Sequence, residues 1–243
     1  MSSLIIPEWP APANVMSCST TRSGGVSQQP YDSLNLGAHV ADKPAHVLKN
    51  RQRLCDMAGL PAMPLWLNQV HGTRVVTLPH AGSSAPDADA CYTRTKGQVC
   101  AVMTADCLPV IFCSKDGREV AAAHAGWRGL CGGVLESTLA MFLSLPEDIL
   151  VWLGPAIGPE MFEVGPEVRE AFIADNPAAA EAFIPSQQKY LADLWMLARQ
   201  RLARAGVTAV YGGGHCTYSE IDSFFSYRRE SVTGRMATLV WLG

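Results

Sequence analysis

Three residues combine metal-binding side chains with room around them: His71, Cys107 and His124. They stand in the segments Gln-Val-His-Gly, Ala-Asp-Cys-Leu-Pro and Ala-His-Ala-Gly-Trp, where small residues lie beside apolar runs. Two imidazoles and one thiolate suit a metal centre that has three protein ligands and one open coordination position. Because an open position is typical of catalytic metal sites, the trio predicts an enzyme.

Each of the three residues also has a plain structural explanation. His124 in its alanine-rich strand fits a core histidine, His71 fits a turn cap, and Cys107 fits a buried thiol. Their joint setting favours the metal centre, although sequence spacing alone does not place His71 beside the other two. Histidines with weaker surroundings stand at positions 39, 46, 80 and 215.

The elements that must position these residues follow from the apolar pattern. Strands are predicted at Gln98–Thr104, Pro109–Ser114, Glu119–His124, Ile149–Leu153, Ala209–Gly212, Phe224–Arg228 and Met236–Leu242. Helices are predicted at Ala45–Ala58, Gly129–Leu143, Pro166–Ala174 and Tyr190–Ala205. Strands come in adjacent groups without regular βαβ alternation, which favours a layered α+β fold over a doubly wound one. The 243 residues, 48% of them hydrophobic, fit a single domain over 1–243.

One hairpin brings two of the three candidate ligands together. If Asp-Gly at 116–117 forms a two-residue turn, Cys107 lies opposite Gly126 and Pro109 lies opposite His124. Cys107 and His124 are then diagonal neighbours on one face, about 7–8 Å apart at the backbone. Because Pro109 cannot donate to the ladder, a one-residue slip that separates the two side chains is the alternative.

Charge and composition exclude several classes of partner. The formal charge is −3 and no dense Lys/Arg run occurs, so a nucleic-acid partner is not expected. The first ten residues lack a basic leader with a long apolar core, and no segment approaches a membrane span. We therefore expect a cytoplasmic protein with no membrane partner, monomeric or weakly homo-oligomeric. The eight cysteines form no C-x-x-C pair, which predicts reduced thiols.

Three arginine-containing segments are candidate anion sites. Thr21–Ser27 combines Arg22 with a glycine pair, and Gly126–Gly129 places Arg128 where a predicted helix opens. Arg228, near the C-terminal end, is the third. Chain reversal, or a solvated strand end for Arg228, is the alternative explanation. Neither glycine-containing segment matches a P-loop or a dinucleotide fingerprint.

Motifs distributed over nearly the whole chain resemble those of the YfiH family, also called the laccase-domain, multicopper polyphenol oxidase or peptidoglycan editing factor family. They are Thr-Arg-Ser-Gly-Gly-Val-Ser (21–27), Ser-Leu-Asn-Leu-Gly (33–37), Asn-Arg (50–51), Gln-Val-His-Gly (69–72), Thr-Ala-Asp-Cys-Leu-Pro (104–109), His-Ala-Gly-Trp-Arg-Gly (124–129), Gly-Pro-Ala-Ile-Gly (154–158) and Phe-Ser-Tyr-Arg-Arg (225–229). The resemblance implies one α+β domain with β-sheets between helical layers, an α/β/β/α sandwich. It also implies zinc held by His71, Cys107 and His124. The implied activities are phosphorolysis of adenosine, inosine, guanosine and methylthioadenosine, and deamination of adenosine.

The site chemistry suits both implied activities. A zinc ion with three protein ligands lowers the pKa of its water to about 7 and so supplies hydroxide for deamination. Phosphorolysis needs a bound phosphate beside the anomeric carbon, with cationic donors to hold it. Arg22, Arg128 and Arg228 are the candidates for that task.

Further residues have candidate roles around the metal. Besides its role as a ligand, Cys107 is a candidate catalytic residue, and Asp106 beside it would orient a ligand or move a proton. Capping a strand end is the equally good alternative for Asp106. Asn35 and Gln69 are candidates for reading the nucleoside by hydrogen bonds, or for joining loops.

A copper-dependent polyphenol oxidase is the second hypothesis. Two histidines and a cysteine resemble a blue-copper ligand set, in which Met103 would be the axial ligand. Six histidines in all leave four for the trinuclear cluster of a laccase, which is too few. Strand parity places Met103 on the same face as Cys107 but four residues away from it, so core packing is its expected role.

A cysteine hydrolase is the third hypothesis. Cys107 would be the nucleophile and His124 or His71 its base. The family's editing-factor name points to a muramyl-peptide precursor as the substrate of such an enzyme.

Overall fold

The computed structural model describes residues 3–82 and 84–243, in which thirteen strands and five α-helices form. The strands are β1 Leu4–Ile5, β2 Val15–Thr20, β3 Val75–Leu78, β4 Ala90–Thr93, β5 Val99–Thr104, β6 Leu108–Ser114, β7 Val120–Ala125, β8 Ile149–Leu153, β9 Glu163–Val164, β10 Phe183–Ser186, β11 Lys189–Ala192, β12 Ala209–Gly212 and β13 Met236–Leu242. The helices are α1 Pro44–Ala58, α2 Trp127–Gly132, α3 Val134–Leu139, α4 Pro166–Asp175 and α5 Leu194–Arg204. No helix in the described residues is both long and apolar enough to cross a bilayer.

The strands form three sheets. A four-stranded antiparallel sheet has the order β1-β2-β13-β5, and a six-stranded sheet has the order β12-β8-β6-β7-β4-β3. The six-stranded sheet is mixed, because its outer pairs β12/β8 and β3/β4 are parallel and the inner pairs are antiparallel. A small antiparallel sheet has the order β10-β11-β9.

The two large sheets pack face to face between layers of helix. Val102 and Val240 of the four-stranded sheet pack with Ile111 and Ala122 of the six-stranded sheet. The outer face of the four-stranded sheet covers Leu54 of α1, and that of the six-stranded sheet packs against α2 to α5. The layered α/β/β/α fold expected from the sequence is therefore confirmed.

Burial on both faces explains why the central strands have continuous apolar sequences. In β6, Val110 and Phe112 pack on the helical side, while Ile111 and Cys113 face the other sheet. Every residue of β5, β6 and β7 is buried. The pattern is typical of a sheet without a solvated face.

The hairpin register predicted for β6 and β7 is confirmed. Pro109 pairs with His124, and the ladder runs to Cys113 opposite Val120. The connection is longer than a two-residue turn, because the Ser114 amide already pairs with the Glu119 carbonyl. Within this loop the Gly117 amide donates to the Ser114 carbonyl. The longer loop keeps the same alignment, so the predicted face of His124 does not change.

Two helix predictions differ from the structure at identifiable residues. Gly133 has a φ of 96° and divides the predicted helix Gly129–Leu143 into α2 and α3. The first residues of the predicted helix Tyr190–Ala205 belong to β11 instead. Helix α5 begins only after Asp193, whose side chain caps it by accepting from the Met196 amide.

The predicted strand Phe224–Arg228 is wrong. The segment forms turns, in which the Phe224 amide donates to the Glu220 carbonyl. Phe224 and Phe225 are buried against Ala105 and Met236, so their apolar character reflects a buried loop. The segment is buried but is not a strand, and its burial produced the apolar pattern that predicted one.

A buried carboxylate ties the chain after α3 to the central strands. Glu119, which is 2% exposed, accepts hydrogen bonds from the Leu143 and Ser144 amides, the Ser144 hydroxyl and the Tyr92 hydroxyl. Burial by itself would raise the pKa of Glu119, but these hydrogen bonds outweigh it and lower the pKa. The ionised form therefore stabilises the fold.

We expect Glu119→Gln to lower the free energy of unfolding by about 1–3 kcal/mol, because glutamine has one acceptor oxygen and leaves a buried donor unpaired. Urea denaturation at pH 7 measures the difference. The matched control is Glu147→Gln at an exposed position, with an expected change within about 0.5 kcal/mol.

The pH dependence gives a second readout for Glu119. Because the folded-state pKa lies below the ordinary value of 4.5, the stabilisation is complete above that pH and is lost as the pH falls through the folded pKa. The difference in the free energy of unfolding between wild type and Glu119→Gln should therefore become smaller below about pH 4. Equal stability of the two proteins at pH 7 would contradict the assignment.

Candidate metal centre

His124 lies near the end of β7, buried and on the face that Ala122 turns toward the other sheet. Its Nδ1 lies 2.8 Å from Oδ1 of Asp89, which is fully buried. Asp89 directly precedes β4, and β4 pairs with β7. A hydrogen bond from Nδ1–H fixes the tautomer and leaves Nε2 free to bind a ligand.

The same carboxylate positions His71. Asp89 accepts hydrogen bonds from the backbone amides of Val70, His71 and Gly72, at 3.2, 2.9 and 2.7 Å. His71 has a φ of 60°, in the left-handed region that non-glycine residues seldom adopt. Three amides converging on one buried carboxylate stabilise this conformation and direct the exposed His71 ring toward His124, with ring centroids 4.8 Å apart.

Cys107 lies in the tight connection between β5 and β6, directly after Asp106. Asp106 has a φ of 96°, and its carboxylate is held from two sides. The Thr217 hydroxyl donates to one oxygen and the Arg228 amide to the other, both at 2.7 Å. These bonds anchor the loop that presents the Cys107 thiol.

The three candidate ligands converge on one point. One donor atom from each of His71, Cys107 and His124 lies within 4.8 Å of the others, and Cys107 Sγ is 3.9 Å from His71 Nε2. The close approach requires glycine at position 126. A Cβ there would stand 2.9 Å from the His71 ring and 3.0 Å from Cys107 Sγ.

This donor set fits a metal ion. Zinc binds histidine nitrogen and cysteine sulfur at about 2.0–2.3 Å, which holds tetrahedral ligands roughly 3.5 Å apart. The observed spacing needs only small side-chain adjustments to reach that value. No other group of three or more metal-binding side chains occurs within residues 3–82 and 84–243.

The electrostatics favour the metal-binding form of the thiol. Burial alone would raise the pKa of Cys107, but the attraction and hydrogen bonding of His124, and then of His71, lower it to about 6. Burial alone would lower the pKa of His124, but the Cys107 thiolate and Asp89 raise it to about 9, so a metal that binds Nε2 displaces a proton. A thiolate at neutral pH is the form that binds metals.

A cavity of about 480 Å³ opens over the three side chains. One wall consists of Met103, Thr104 and Ala105, at the end of β5 and in the loop that follows. Asn68 and Gln69, from the loop that carries His71, also line the cavity. This volume lies in the range of small-molecule sites.

Two residues predicted to read a substrate have structural partners. Gln69 lines the cavity, but its amide exchanges hydrogen bonds of 2.7 Å with the backbone amide and carbonyl of Met103. Asn35 is fully buried, where its side chain bonds to both backbone groups of Gly37, to Asp42 and to the Arg235 amide. Their contacts correspond to the loop-joining alternative, and substrate binding by either stays a prediction.

The catalytic role of Asp106 also stays a prediction. Both of its carboxylate oxygens are engaged by Thr217 and Arg228, and it does not line the cavity over the metal ligands. Its contacts are those of a residue that holds a loop.

The three predicted anion-binding arginines do not line that cavity. Arg22 bonds to Asp32 and lines a separate cavity. Arg128 is exposed and stacks on the Trp127 ring at 4.4 Å. Arg228 is exposed, and its guanidinium donates to the Glu163 carbonyl.

Sequence reasoning missed Asp89 and Arg235. Asp89 stands in a short strand region that the apolar pattern did not identify, so no signal connected it with His124. Arg235 lines the cavity from the residue before β13, together with Tyr227 and His39. His39 stands among the histidines that had no distinctive sequence setting.

Met103 packs with Ala237 and Leu239 in the core under α1, as expected from strand parity, and also borders the cavity. With a single cluster of metal-binding side chains in the described part of the chain, nothing there matches the trinuclear cluster of a laccase.

Comparison with known proteins extends these observations. A family model described as multi-copper polyphenol oxidoreductase laccase matches residues 16–243. The chain is 60% identical over 242 residues to Purine nucleoside phosphorylase YfiH of Escherichia coli (strain K12), covering 100% of both chains. It is 55% identical over 244 residues to a purine nucleoside phosphorylase of Pseudomonas aeruginosa, covering 100% of this chain and 99% of the relative.

Solved structures agree with this relationship. A crystal structure of a Neisseria meningitidis protein matches with a TM-score of 0.96 at 53% identity, covering 99% of each chain. The hypothetical protein YfiH of Bacillus licheniformis matches with a TM-score of 0.92 at 30% identity, covering 100% of this chain and 97% of that one. The resemblance expected from the motifs is confirmed, and the chain belongs to the YfiH family, whose family model is described as multi-copper polyphenol oxidoreductase laccase.

Proposed function

We propose that the chain, as one domain, is a zinc-dependent purine nucleoside phosphorylase of the cytoplasm. It would convert adenosine, inosine, guanosine or methylthioadenosine and phosphate into the free base and a sugar 1-phosphate. The observation that carries the proposal is the His71–Cys107–His124 cluster at one side of a cavity of about 480 Å³. The names of relatives that are up to 60% identical over the full chain support it.

The cavity offers the contacts that a nucleoside needs. The polar residues Asn68, whose side-chain amide also donates to Asp87, and Thr104 line it beside the apolar residues Met103 and Ala105. A purine has flat apolar faces and a polar edge, which match this combination. Because Gln69 locks the Met103 backbone, this wall is rigid before the substrate arrives.

The protein side chains also determine what a metal can do here. Zinc held by two imidazoles and a thiolate supplies Lewis-acid chemistry at its open position. Asp89 keeps His124 in the tautomer that presents Nε2, and it fixes the backbone that carries His71. Asp106 holds the loop that carries the Cys107 thiolate. The chain thus orients all three donors from outside the cavity.

Adenosine deamination is proposed as a second activity of the same centre. Both reactions need the purine nucleoside in the same cavity, but deamination consumes water whereas phosphorolysis consumes phosphate. The open side of the cluster faces the cavity that holds the nucleoside in this proposal. The balance between the two activities then depends on whether phosphate is bound.

A cysteine hydrolase remains the competing function because of one observation. The Cys107 thiol has a lowered pKa and lies 3.9 Å from Nε2 of His71, a long contact that a small side-chain movement would turn into a nucleophile–base hydrogen bond. Its substrate would be a muramyl-peptide precursor. The copper oxidase is less well supported, because the described residues contain one cluster of metal-binding side chains and Met103 belongs to the core.

Incubation of the zinc-loaded protein with adenosine, with and without phosphate, tests the function directly. We expect adenine and ribose 1-phosphate only when phosphate is present, and inosine from the water reaction. Liquid chromatography with mass detection identifies the products. The absence of both products would refute the proposal. Hydrolysis of a muramyl-peptide precursor that survives complete chelation and is abolished by alkylation of Cys107 would establish the hydrolase instead.

Cys107→Ser should remove the metal and the nucleoside activity together, because a neutral hydroxyl is a far weaker zinc ligand than a thiolate. Metal content by plasma mass spectrometry and phosphorolysis are measured on the same sample. Cys55→Ser, on α1 away from the cluster, is the matched control and should retain both. Full zinc occupancy in Cys107→Ser would contradict the ligand assignment, and copper with intense blue absorption in the wild type would contradict zinc.

Gly126→Ala should weaken zinc binding by at least tenfold. The added methyl group would lie within 3.0 Å of both the His71 ring and the Cys107 sulfur, so one ligand must move. Competition with a chromophoric chelator measures the affinity. Gly132→Ala, at the other end of the helix α2 that follows Gly126, meets only the Thr73 methyl group at 3.2 Å and should bind zinc like the wild type. Equal affinities for the two variants would show that the convergence of ligands does not depend on Gly126.

A further inference from the structure

Phosphorolysis requires a cation near the metal-binding cluster, and the three arginines expected from the sequence lie elsewhere. The cavity beside Arg22 contains the carboxylates of Asp32, Asp222 and Glu230. The three carboxylates outweigh the single guanidinium, so this cavity repels a phosphate dianion rather than binding it. A different cation must therefore serve if phosphate binds over the cluster.

Arg235 has the required position. It is the one Lys or Arg among the described residues that line the cavity over the cluster, and no Asp or Glu is among them. Its Nη1 donates to the Thr233 and Gly234 carbonyls, whereas Nε and Nη2 form no hydrogen bond with the part of the chain that the structure describes. A guanidinium edge with two unused donors matches two phosphate oxygens.

The surroundings of Arg235 hold it in place. The Arg235 amide donates to the Asn35 side chain, and the Arg235 carbonyl accepts from the Leu36 amide. Glycine at position 37 leaves room for the arginine stem, since a Cβ there would stand 2.8 Å from the Arg235 Cγ. Asn35, predicted from the sequence to read the nucleoside, thus also holds the backbone of the arginine.

A histidine ring, which can donate a hydrogen bond, shares the cavity. His39 lines it from the exposed segment that follows Gly37. Burial comes first among the effects that lower the pKa of His39, followed by the positive charges of Arg235, Arg51 and His124. The surrounding charges show that this side of the cavity is electropositive, and such a region attracts an anion.

We infer that Arg235, together with His39, forms the binding site for inorganic phosphate beside the metal-binding cluster. The inference rests on the proposed phosphorylase function. In the reaction, a phosphate oxygen forms a bond to the anomeric carbon while the glycosidic C–N bond breaks. The electron pair of that bond leaves on the purine nitrogen, which ends with the proton of hydrogen phosphate. Arg235 would hold the phosphate in place for this attack.

Titration calorimetry with sodium phosphate, at constant ionic strength and with zinc-loaded protein, tests the site. Arg235→Gln should weaken phosphate binding at least tenfold, because it removes the charge and the paired donors. Arg235→Lys should give an intermediate affinity, since lysine keeps the charge without the fork. His39→Gln, at an exposed position that tolerates change, should weaken binding severalfold. Arg118→Gln, on the exposed β6–β7 loop, is the matched control and should bind phosphate like the wild type.

Kinetics separate this inference from the proposed function. With adenosine as substrate, Arg235→Gln should raise the KM for phosphate at least tenfold and change the KM for adenosine less than about threefold. Circular dichroism and zinc content show whether the variant is folded and loaded, and His39→Gln provides a second variant if it is not.

The outcomes are distinguishable. Phosphate binding that depends on Arg235 in a protein that cleaves no nucleoside would support the site and refute the function. Phosphorolysis with unchanged phosphate affinity and KM in Arg235→Gln and His39→Gln would refute the site and keep the function. Loss of phosphate binding in Arg22→Gln, with normal binding in Arg235→Gln, would move the phosphate to the other cavity and overturn the inference.

Discussion

The Asp89 carboxylate is the interaction on which the candidate site depends. It is fully buried and accepts hydrogen bonds from the His124 ring and from three consecutive backbone amides at Val70, His71 and Gly72. A buried carboxylate is costly unless its oxygens are paired, and here the paired groups are the supports of two candidate ligands. One residue therefore couples a rigid strand to a loop that would otherwise choose among several conformations.

The sheet sandwich explains why this coupling is possible. His124 belongs to a strand buried on both faces, so its position is determined by neighbouring strands on either side. Cys107 comes from the adjacent strand connection, and Gly126 leaves the space in which sulfur and imidazole meet. His71 and Cys107 approach His124 from loops. His71 and Asp106 have left-handed backbone conformations, which are stabilised by hydrogen bonds to the carboxylates of Asp89 and of Asp106 itself. Local strain is thus compensated by hydrogen bonds outside the cavity.

Charge distribution distinguishes the two polar cavities. The cavity over the cluster has Arg235 and His39 and no acidic lining residue among those described, whereas the cavity at Arg22 has three carboxylates. Both have volumes of about 480 Å³, so size does not separate them. The sign of the lining charges separates the two cavities, and it favours an anionic co-substrate beside the metal ligands. The family model is described by an oxidase activity, and the described residues hold one cluster of metal-binding side chains.

The sequence by itself determined the layered fold class, the central strands and the hairpin register that sets Pro109 opposite His124, because burial and strand parity are local properties of the chain. Family motifs added His71, which spacing could not place. Only the tertiary structure decided that Phe224–Arg228 is a buried loop, that Asp89 supports the histidines and that Arg235 faces the cavity. These contacts join residues far apart in the chain, such as Asn35 and Arg235, through hydrogen bonds that leave no periodic pattern in the sequence. Apolar periodicity reports burial, and it does not report which polar group a buried polar group will meet.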